Sequence, residues 1–308
     1  MKIILTGATG LVGNNLFPKL DNEKHQIIIF SRNPERAEKI LPGAAEYVYF
    51  DYNKPGSWQK YLENSQAVIH LAGANLAGKR WSDSYKKVIY DSRIVSTKRI
   101  VQAIGECTAK PKVFIHSSAV GIYGDRGDEE LTESSLKGND FLANLCSDWE
   151  SEAKEVEKLN VRRVSLRIGI VLSKEGGALK QFITPFKLFL GGPLGNGKQW
   201  FPWIHIDDLT NIILFSLKNE SIKGAVNCAS PGIVTMKDFA NTLGRALKRP
   251  AIFSAPKFAL KIIIGEMADA IVAGQKIAVD KLLDTGFQFE FENLEEALKD
   301  LLKKQRRN

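Results

Sequence analysis

Short runs of apolar, mostly β-branched residues alternate with amphipathic stretches along the first half of the chain. A strand buried on both faces is a short apolar run, whereas a helix covering it repeats apolar residues every three or four positions. Such helical stretches extend from about Ser84 to Gly105 and from Cys146 to Leu159. The pattern predicts strands at Lys2–Thr6, Gln26–Phe30, Glu46–Phe50, Ala67–Leu71, Lys112–His116 and Val164–Ile168.

Repeated βαβ units build a parallel sheet with helices on both faces, because their crossovers are right-handed. We therefore predict an α/β fold, a doubly wound parallel sheet of the Rossmann type, over residues 1–172. A helix at Asp207–Leu217 and a strand at Ala225–Cys228 are expected to return to this domain within residues 207–230. The rest is predicted to form a smaller, mostly helical substrate-side region: residues 173–206 and 231–308.

Turn and capping signals divide the smaller region. The Gly-rich stretch Gly191–Gly197 is a loop by composition, and we interpret it as a loop over the substrate cleft. It resembles a P-loop only superficially, because Gln199 stands where Mg²⁺ needs a hydroxyl group. A helix capped by Thr235 is expected to run to Leu247. Two further helices are predicted, at Pro256–Val272 and Glu295–Lys304.

The composition adds a modest positive charge. The 308 residues include 43 Lys and Arg and 35 Asp and Glu, for a net charge of +8 and a pI near 9.2. Four of the cations lie together at the C-terminal end, where they suit the end of a helix: Lys303, Lys304, Arg306 and Arg307. RNA binding would rest on the net charge alone, so we expect no nucleic-acid partner.

Cysteine usage and hydropathy point to a reducing compartment. Cys107, Cys146 and Cys228 are odd in number and far apart in sequence, which argues against a disulfide framework. The chain begins directly with a strand rather than a signal peptide, and no apolar run approaches the roughly 20 residues that span a bilayer. We expect a cytoplasmic protein without a membrane partner.

The strongest motif follows the first predicted strand and opens a helix. In this context Gly7 makes a tight turn, Gly10 lets the backbone approach a pyrophosphate, and Gly13 lets the helix pack against the strand. The free N–H groups of the helix N-terminus then face the phosphates. The predicted phosphate loop consists of Gly7, Thr9, Gly10, Leu11, Val12 and Gly13.

The end of the second strand indicates which dinucleotide binds. An NAD site has Asp or Glu there, whereas this chain has Ser31 and Arg32. A hydroxyl and a guanidinium suit a 2′-phosphate, so we predict NADP(H). Asp51 after the third strand is a candidate for the adenine amino group, and Leu71, Ala72 and Gly73 are expected to run beneath the cofactor.

Several motifs together resemble the extended short-chain dehydrogenase/reductases, the NAD(P)-dependent epimerases and dehydratases. They are the glycine spacing above, His70–Gly73, and Ser117–Ala119 with Tyr123-Gly124. Other segments resemble an atypical "epimerase family protein" subfamily with its own C-terminal domain: Ser92-Arg93, Phe141–Cys146, Trp149-Glu150, Gly191–Gly195, Trp203–Asp208, Gly274–Lys276 and Gly286–Phe289. The resemblance implies that Arg32 binds the 2′-phosphate and that Ser31, Leu71, Ala72, Arg93 and Ile170 line the cofactor.

One departure from this superfamily concerns its chemistry. Its members use a Tyr acid/base with a Lys four residues later, and no tyrosine here has a lysine at that offset. Aligning the family's helix on Glu150 places Leu142 and Cys146 at these positions, and leucine cannot transfer a proton. Ser118 is the best match to the catalytic Ser/Thr, although its spacing to Tyr123 is one residue longer than in sugar epimerases.

An aromatic segment contains one more candidate. His205 lies among Trp200, Phe201 and Trp203 and precedes Asp207. Two interpretations stay open: His205 is a substrate-side acid/base, or the segment is an aromatic hinge in which Asp207 caps the next helix. His25, His70, His116 and His205 show no metal-ligand spacing, so no metal is predicted.

The sequence supports two functional hypotheses. The leading one is an NADP(H)-dependent oxidoreductase or epimerase-type enzyme acting, as a monomer or homodimer, on an unidentified small polar molecule. The nicotinamide would exchange hydride, and a proton would come from Ser118, Tyr123, His205 or water. The alternative is a non-catalytic NADP(H) sensor or scaffold protein, which the missing tyrosine and lysine motivate.

Overall fold

The computed structural model describes residues 1–303. Its strands in chain order are β1 (Lys2–Thr6), β2 (Gln26–Ser31), β3 (Glu46–Tyr49), β4 (Ala67–His70), β5 (Val113–Ala119), β6 (Glu130–Leu131), β7 (Arg162–Ile168), β8 (Ile170–Leu172), β9 (Trp200–Phe201), β10 (Trp203–His205), β11 (Gly224–Cys228), β12 (Val234–Thr235) and β13 (Lys276–Ile277). Its α-helices are α1 (Leu11–Asn22), α2 (Pro34–Ile40), α3 (Asp83–Glu106), α4 (Phe141–Lys154), α5 (Gly177–Lys187), α6 (Ile206–Lys218), α7 (Met236–Leu247), α8 (Lys257–Ile264), α9 (Met267–Val272), α10 (Asp280–Asp284) and α11 (Leu294–Leu302).

Seven strands form the main sheet of the described residues, in the order β11-β7-β5-β4-β1-β2-β3. The pairs β1–β2, β1–β4, β2–β3 and β4–β5 are parallel. The chain leaves β1 toward β2 and β3 on one side and toward β4 and β5 on the other, so the strand order reverses between β1 and β4. This arrangement confirms the predicted doubly wound Rossmann sheet.

The strands are built from the apolar runs that predict them. Ile3, Ile4 and Leu5 of β1 are fully buried, as are Val68 and Ile69 of β4. A parallel sheet covered on both faces requires such continuous apolar strands, because neither face meets water. Aromatic side chains fill the core beside β2 and β3: the rings of Phe30, Phe50 and Trp58 pack at tilted or edge-to-face angles.

Two predicted helices differ clearly from those of the structure. Helix α4 begins at Phe141 rather than Cys146, because the carboxylate of Asp140 accepts the N–H of Ala143 at 2.9 Å and satisfies the first turn. The helix predicted at Pro256–Val272 is two helices, α8 and α9. Gly265 lies between them with φ +68°, a left-handed conformation that ends α8.

The cap of α7 is confirmed. The hydroxyl of Thr235 accepts the N–H of Asp238 at 3.2 Å, and the helix ends at Leu247 as predicted. The C-terminal basic group is described only in part. Lys303 lies 3.6 Å from a carboxylate oxygen of Asp300. Three members of the group fall outside the described residues: Lys304, Arg306 and Arg307.

The chain divides into two compact units. The first comprises Met1–Ala119, Asn144–Arg167 and Thr210–Val226, and the second comprises Val120–Ala143, Ile168–Leu209 and the described residues from Asn227 onward. This division places residues 120–143, 168–172, 207–209 and 227–230 in the second unit, whereas the predicted domains place them in the first. Over residues 1–303, no helix is both long and apolar enough to cross a membrane.

Candidate cofactor site and catalytic residues

The carboxyl ends of three strands align in the first unit. Thr6 of β1 lies opposite Phe30 of β2 and His70 of β4, and His70 also pairs with His116 of β5, which continues to Ala119. The segments that follow β1, β2 and β4 therefore leave the sheet side by side, at the edge where doubly wound sheets bind nucleotides. They contain most of the predicted cofactor residues: Gly7–Gly13, Ser31 and Arg32, and Leu71–Gly73.

The phosphate loop has the geometry that its glycines predict. Gly7 has φ +70°, and a Cβ on it would lie 2.5 Å from the carbonyl carbon of Leu71. A Cβ on Gly13 would lie 2.5 Å from the carbonyl oxygen of Gly7, so the start of α1 packs directly on the turn. Gly10 stands at the N-cap without a side chain, and Thr9 and Gly10 are exposed. The loop thus presents open backbone N–H groups to solvent.

The loop after β2 displays Arg32. The hydroxyl of Ser31 accepts the N–H of Asn33 at 3.1 Å, and the Asn33 side chain accepts the N–H of Arg36 at 2.9 Å to cap α2. These bonds fix the turn while the Arg32 side chain stays exposed beyond the strand end. Asp51 lies after β3, where its carboxylate accepts the N–H of Asn53 at 2.9 Å.

A buried polar chain holds the loop after β4 in place. His70 Nδ1 lies 2.6 Å from the hydroxyl of Thr6, and its Nε2 lies 3.1 Å from the hydroxyl of Ser96. Because Ser96 donates to the carbonyl oxygen of Ser92, it accepts from Nε2–H, and Nδ1 accepts from Thr6. The hydroxyl of Ser92 in turn accepts the N–H of Ala74 at 2.9 Å. Helix α3 thereby fixes the segment that follows Leu71–Gly73.

Arg93 is a half-buried cation beside this segment. Its guanidinium carbon lies 3.0 Å from the position that a Cβ on Gly73 would take, and 5.3 Å from the ring centroid of Trp149. It donates to the carbonyl oxygen of Ile89 at 3.1 Å and forms no ion pair with any described carboxylate. Burial lowers the pKa of Arg93, while the nearby Cys146 thiol opposes that change. Burying a cation without a counter-ion is costly, which makes Arg93 a candidate for binding an anion.

Ser118 is buried and already engaged. Its hydroxyl donates to Glu150 Oε1 at 2.7 Å. Arg167 donates to both oxygens of the same carboxylate, at 2.9 Å each, in a bidentate pair. In this arrangement the Ser118 proton faces Glu150, so only its lone pairs are available to another group.

The helix positions of the missing tyrosine and lysine carry no acid or base in this structure. Leu142 and Cys146 lie one turn apart on α4. Burial, together with the charge of Glu150, raises the pKa of the Cys146 thiol to about 12. The thiol is therefore protonated at neutral pH and cannot replace a lysine.

Tyr123 lies in the second unit and is fully buried. Its hydroxyl donates to Asn227 Oδ1 at 2.6 Å. The amide nitrogen of Asn227 in turn donates to the carbonyl oxygens of Leu131 and Ala278, at 3.1 and 2.9 Å. These bonds connect three segments of the unit, which favours a structural role for Tyr123.

His205 is also fully buried in the second unit. Its ring stacks on Phe291 with centroids 3.9 Å apart, and Nδ1 accepts the N–H of Asp207 at 3.1 Å, so His205 itself caps α6. The alternative in which Asp207 caps that helix is wrong, because α6 begins at Ile206. The neighbouring carboxylate of Asp208 accepts the N–H groups of Glu290 and Phe291. These contacts favour the aromatic hinge over an acid/base.

Ile170, the remaining predicted cofactor residue, begins β8 of the second unit and pairs with Trp203 of β10. Two groups at the cofactor edge escaped the sequence analysis: the chain Thr6–His70–Ser96 and the partner Arg167 of Glu150. A signal for Arg167 was present, since a charged residue near the end of a buried apolar strand needs a partner.

Comparison with known proteins decides the family. Residues 3–229 match the model of the NAD dependent epimerase/dehydratase family. The chain belongs to this family. Residues 255–301 match a second model, described only as a domain of unknown function. Both matches confirm the resemblance seen in the motifs, including its separate C-terminal domain.

Members of the family resemble the chain over nearly its whole length. The epimerase family protein SDR39U1 homolog, chloroplastic, of Arabidopsis thaliana is 38% identical over 304 residues, covering 98% of this chain and 87% of the plant protein. An epimerase family protein of Staphylococcus haemolyticus is 36% identical, covering 98% and 99% of the two chains.

Solved structures also resemble the chain over nearly its whole length. The crystal structure of human epimerase family protein SDR39U1 with NADPH has a TM-score of 0.85 and 30% identity, covering 98% of this chain and 99% of the human one. UDP-glucuronic acid 4-epimerase from Bacillus cereus has a TM-score of 0.79 at 17% identity, covering 98% of both chains, and thus shares the fold alone.

Proposed function

We propose that the chain binds NADP(H) and acts as an oxidoreductase or epimerase-type enzyme on a small polar substrate. The phosphate loop carries this proposal, since Gly7 and Gly13 occupy positions where any side chain would collide with backbone. Such a loop at the carboxyl edge of a doubly wound sheet is suited to a pyrophosphate. The NADPH bound to the human relative supports the same cofactor here.

Arg32 supports NADP(H) over NAD(H). It is exposed just beyond β2, on a turn fixed by Ser31 and Asn33, where the ribose 2′ position of a dinucleotide lies in this fold. A guanidinium binds a phosphate through charge-assisted hydrogen bonds, whereas a 2′-hydroxyl gains little from it. No carboxylate replaces it at this strand end.

The other candidate side chains would have separate roles in the reaction. When bound, the nicotinamide supplies hydride-transfer chemistry. Arg93 would bind a carboxylate, a phosphate or a polarised carbonyl oxygen, because it is a desolvated cation without a described carboxylate partner. Ser118 would act as a positioning residue, since its hydroxyl is tied to Glu150. Tyr123 and His205 are weaker candidates for a proton donor, because the Tyr123 hydroxyl donates to Asn227 and His205 is fully buried and caps α6 through Nδ1.

We do not favour the non-catalytic sensor, because an anion-binding arginine beside the predicted nicotinamide path is a feature that an enzyme uses. We propose a small molecule as the substrate. The buried thiols of Cys107, Cys146 and Cys228 suit a reducing compartment, and we propose the cytoplasm.

Calorimetric titration with NADPH, NADP⁺, NADH and NAD⁺ tests the cofactor proposal. We expect the wild-type protein to prefer NADP(H), and Arg32→Ala to lose about tenfold or more in NADPH affinity while its NADH affinity stays unchanged. Arg99→Ala, which removes an exposed arginine of α3, is the matched control and should leave all four affinities unchanged. Absence of dinucleotide binding by the wild-type protein would refute the proposal. Equal losses for NADPH and NADH would refute the 2′-phosphate role.

A further inference from the structure

Two neighbouring loops of the second unit expose large apolar side chains. Each of these residues is more than half exposed: Leu188, Phe189 and Leu190 after α5, and Ile252 and Phe253 after α7. The loops touch, because the N–H of Phe253 donates to the carbonyl oxygen of Gly191 at 3.1 Å. We call these five residues the apolar tip. Exposed apolar groups of this extent in a folded protein mark an interaction surface.

Helix α8, which follows the second of these loops in sequence, also exposes large apolar side chains. Phe258, Ile262 and Ile263 are 70%, 71% and 74% exposed. Phe258 and Ile262 stand four residues apart and therefore share one helix face. Among the described residues, eight of the fourteen exposed large apolar side chains thus lie in three short segments, 188–190, 252–253 and 258–263.

A basic cavity adjoins the apolar tip. It has a volume of about 540 Å³ and is lined by Asn241, Gly244, Arg245, Lys248, Arg249, Pro250 and Ala251. Its last two residues lead directly into Ile252 and Phe253. The guanidinium of Arg249 stacks over the ring of Phe189, 4.5 Å from its centroid. We call Arg245, Lys248 and Arg249 the basic cluster.

The basic cluster lacks bound carboxylates. Arg249 Nε is buried without a hydrogen-bond partner, and its Nη1 donates only to the carbonyl oxygen of Lys248. Arg245 donates to the hydroxyl of Thr242 at 3.0 Å, and the nearby Glu295 is held by Lys299 at 2.7 Å. No described carboxylate pairs with Lys248 or Arg249. The exposed side chains of Arg245 and Lys248 therefore remain accessible to anionic oxygens.

These observations select one kind of partner. We infer that the apolar tip and the basic cluster form a docking surface for an anionic phospholipid bilayer. Apolar and aromatic side chains enter the boundary between headgroups and acyl chains, while adjacent Lys and Arg contact the phosphates. A second copy of this chain fits less well, because a two-fold contact would place the two basic clusters together.

This inference departs from the expectation of no membrane partner, and it is independent of the proposed activity. The sequence analysis looked for a long apolar run that crosses a bilayer. The surface is instead assembled from three short segments, none of which is unusual alone. A surface-bound protein needs only side chains that reach the interface, not a spanning helix.

Sedimentation with vesicles tests the inference. The probes are vesicles of phosphatidylcholine alone and vesicles in which phosphatidylglycerol replaces part of it. The wild-type protein should sediment with the anionic vesicles, and added salt should weaken this. Phe189→Ser with Phe253→Ser removes apolar contacts, and Lys248→Glu reverses one charge. Each variant should lower the partition coefficient about tenfold.

Matched variants make the result specific. Leu136→Ser removes an apolar side chain that is 77% exposed elsewhere, and Lys98→Glu reverses an exposed charge on α3. Both should bind the anionic vesicles as the wild-type protein does. NADPH titration and thermal melting check that every variant is folded, and Lys248→Glu carries the test if the serine variant is not.

Three outcomes would overturn the inference. The first is failure of the wild-type protein to bind anionic vesicles. The second is equal binding to neutral vesicles, or equal loss in the matched variants. The third is a dimer in sedimentation velocity that the serine variant dissociates, which would assign the surface to a second copy. A loss of NADPH binding with vesicle binding intact would instead refute the proposed function alone.

Discussion

The most unusual charge at the cofactor edge belongs to a single arginine. Arg93 lies against Gly73 and over Trp149, and its charge is desolvated without a carboxylate partner. In a purely structural site such a charge would be costly, since a buried cation usually requires a counter-ion or several hydrogen bonds. The cost of burying the Arg93 charge is offset if a ligand supplies the missing anion.

Arg93→Met therefore separates function from stability. Without ligand, we expect the variant to melt at the wild-type temperature or above, because Met keeps the apolar stem and removes the desolvated charge. With saturating NADPH and substrate analogues, its gain in melting temperature should be smaller than that of the wild-type protein. Arg93→Lys should restore part of that gain. A large drop in melting temperature without ligand would show that Arg93 is structural, contrary to the proposal.

At the scale of elements, α4 shows what sequence can and cannot locate. Its apolar periodicity predicts the helix, but the first turn depends on Asp140, whose capping contact spans only three residues and leaves no periodic trace. The break between α8 and α9 depends in the same way on one residue, Gly265. A helix or strand whose apolar residues recur with a regular period can be predicted from the sequence. The residue at which a helix begins or ends cannot, when a single capping contact or a single residue with positive φ determines it.

The positions on α4 where the superfamily has its tyrosine and lysine give a second prediction. Cys146 is fully packed in the same polar cluster as Arg93, so Cys146→Lys would bury a second cation beside the first. We expect a loss of about 3 kcal/mol or more in the free energy of unfolding, measured with urea, and no gain of activity. Asn144→Lys, at an exposed position of the same helix, should change stability by less than about 0.5 kcal/mol. If Cys146→Lys is as stable as the wild-type protein, α4 can accommodate the lysine that the superfamily usually has at this position.

At the scale of the whole molecule, the cofactor edge was more predictable than the chemistry beside it. Local motifs contain the phosphate loop and Arg32 entirely, so their placement follows once β1 and β2 are recognised. The cluster of Ser118, Glu150 and Arg167 joins three elements separated by up to 49 positions in sequence, and the spacing of residues says nothing of such contacts. The same limit applies to Tyr123, whose partner Asn227 is 104 residues away.

The buried histidines of the sheet make global stability sensitive to acid. His70 and His116 lie side by side on β4 and β5 and are fully buried. Burial is the main cause that lowers the pKa of each imidazole to about 3, and His116 contributes to the lowering at His70, as Arg163 does at His116. In the unfolded chain both titrate near 6.5. The unfolded state therefore binds more protons between about pH 6.5 and 3, and stability is lost as the pH falls through that window.

We expect the free energy of unfolding to be constant above about pH 7 and then to fall by up to about 1.4 kcal/mol per pH unit for each histidine. Urea denaturation at a series of pH values measures this slope. His70→Gln should lower stability at neutral pH, because it disturbs the bonds to Thr6 and Ser96, yet it should reduce the acid slope by about half. His25→Gln, outside the sheet core, should leave the acid slope of the wild-type protein intact. If His70→Gln keeps the full slope, carboxylates rather than these imidazoles control acid unfolding, and the neutral, buried state of His70 would have to be abandoned.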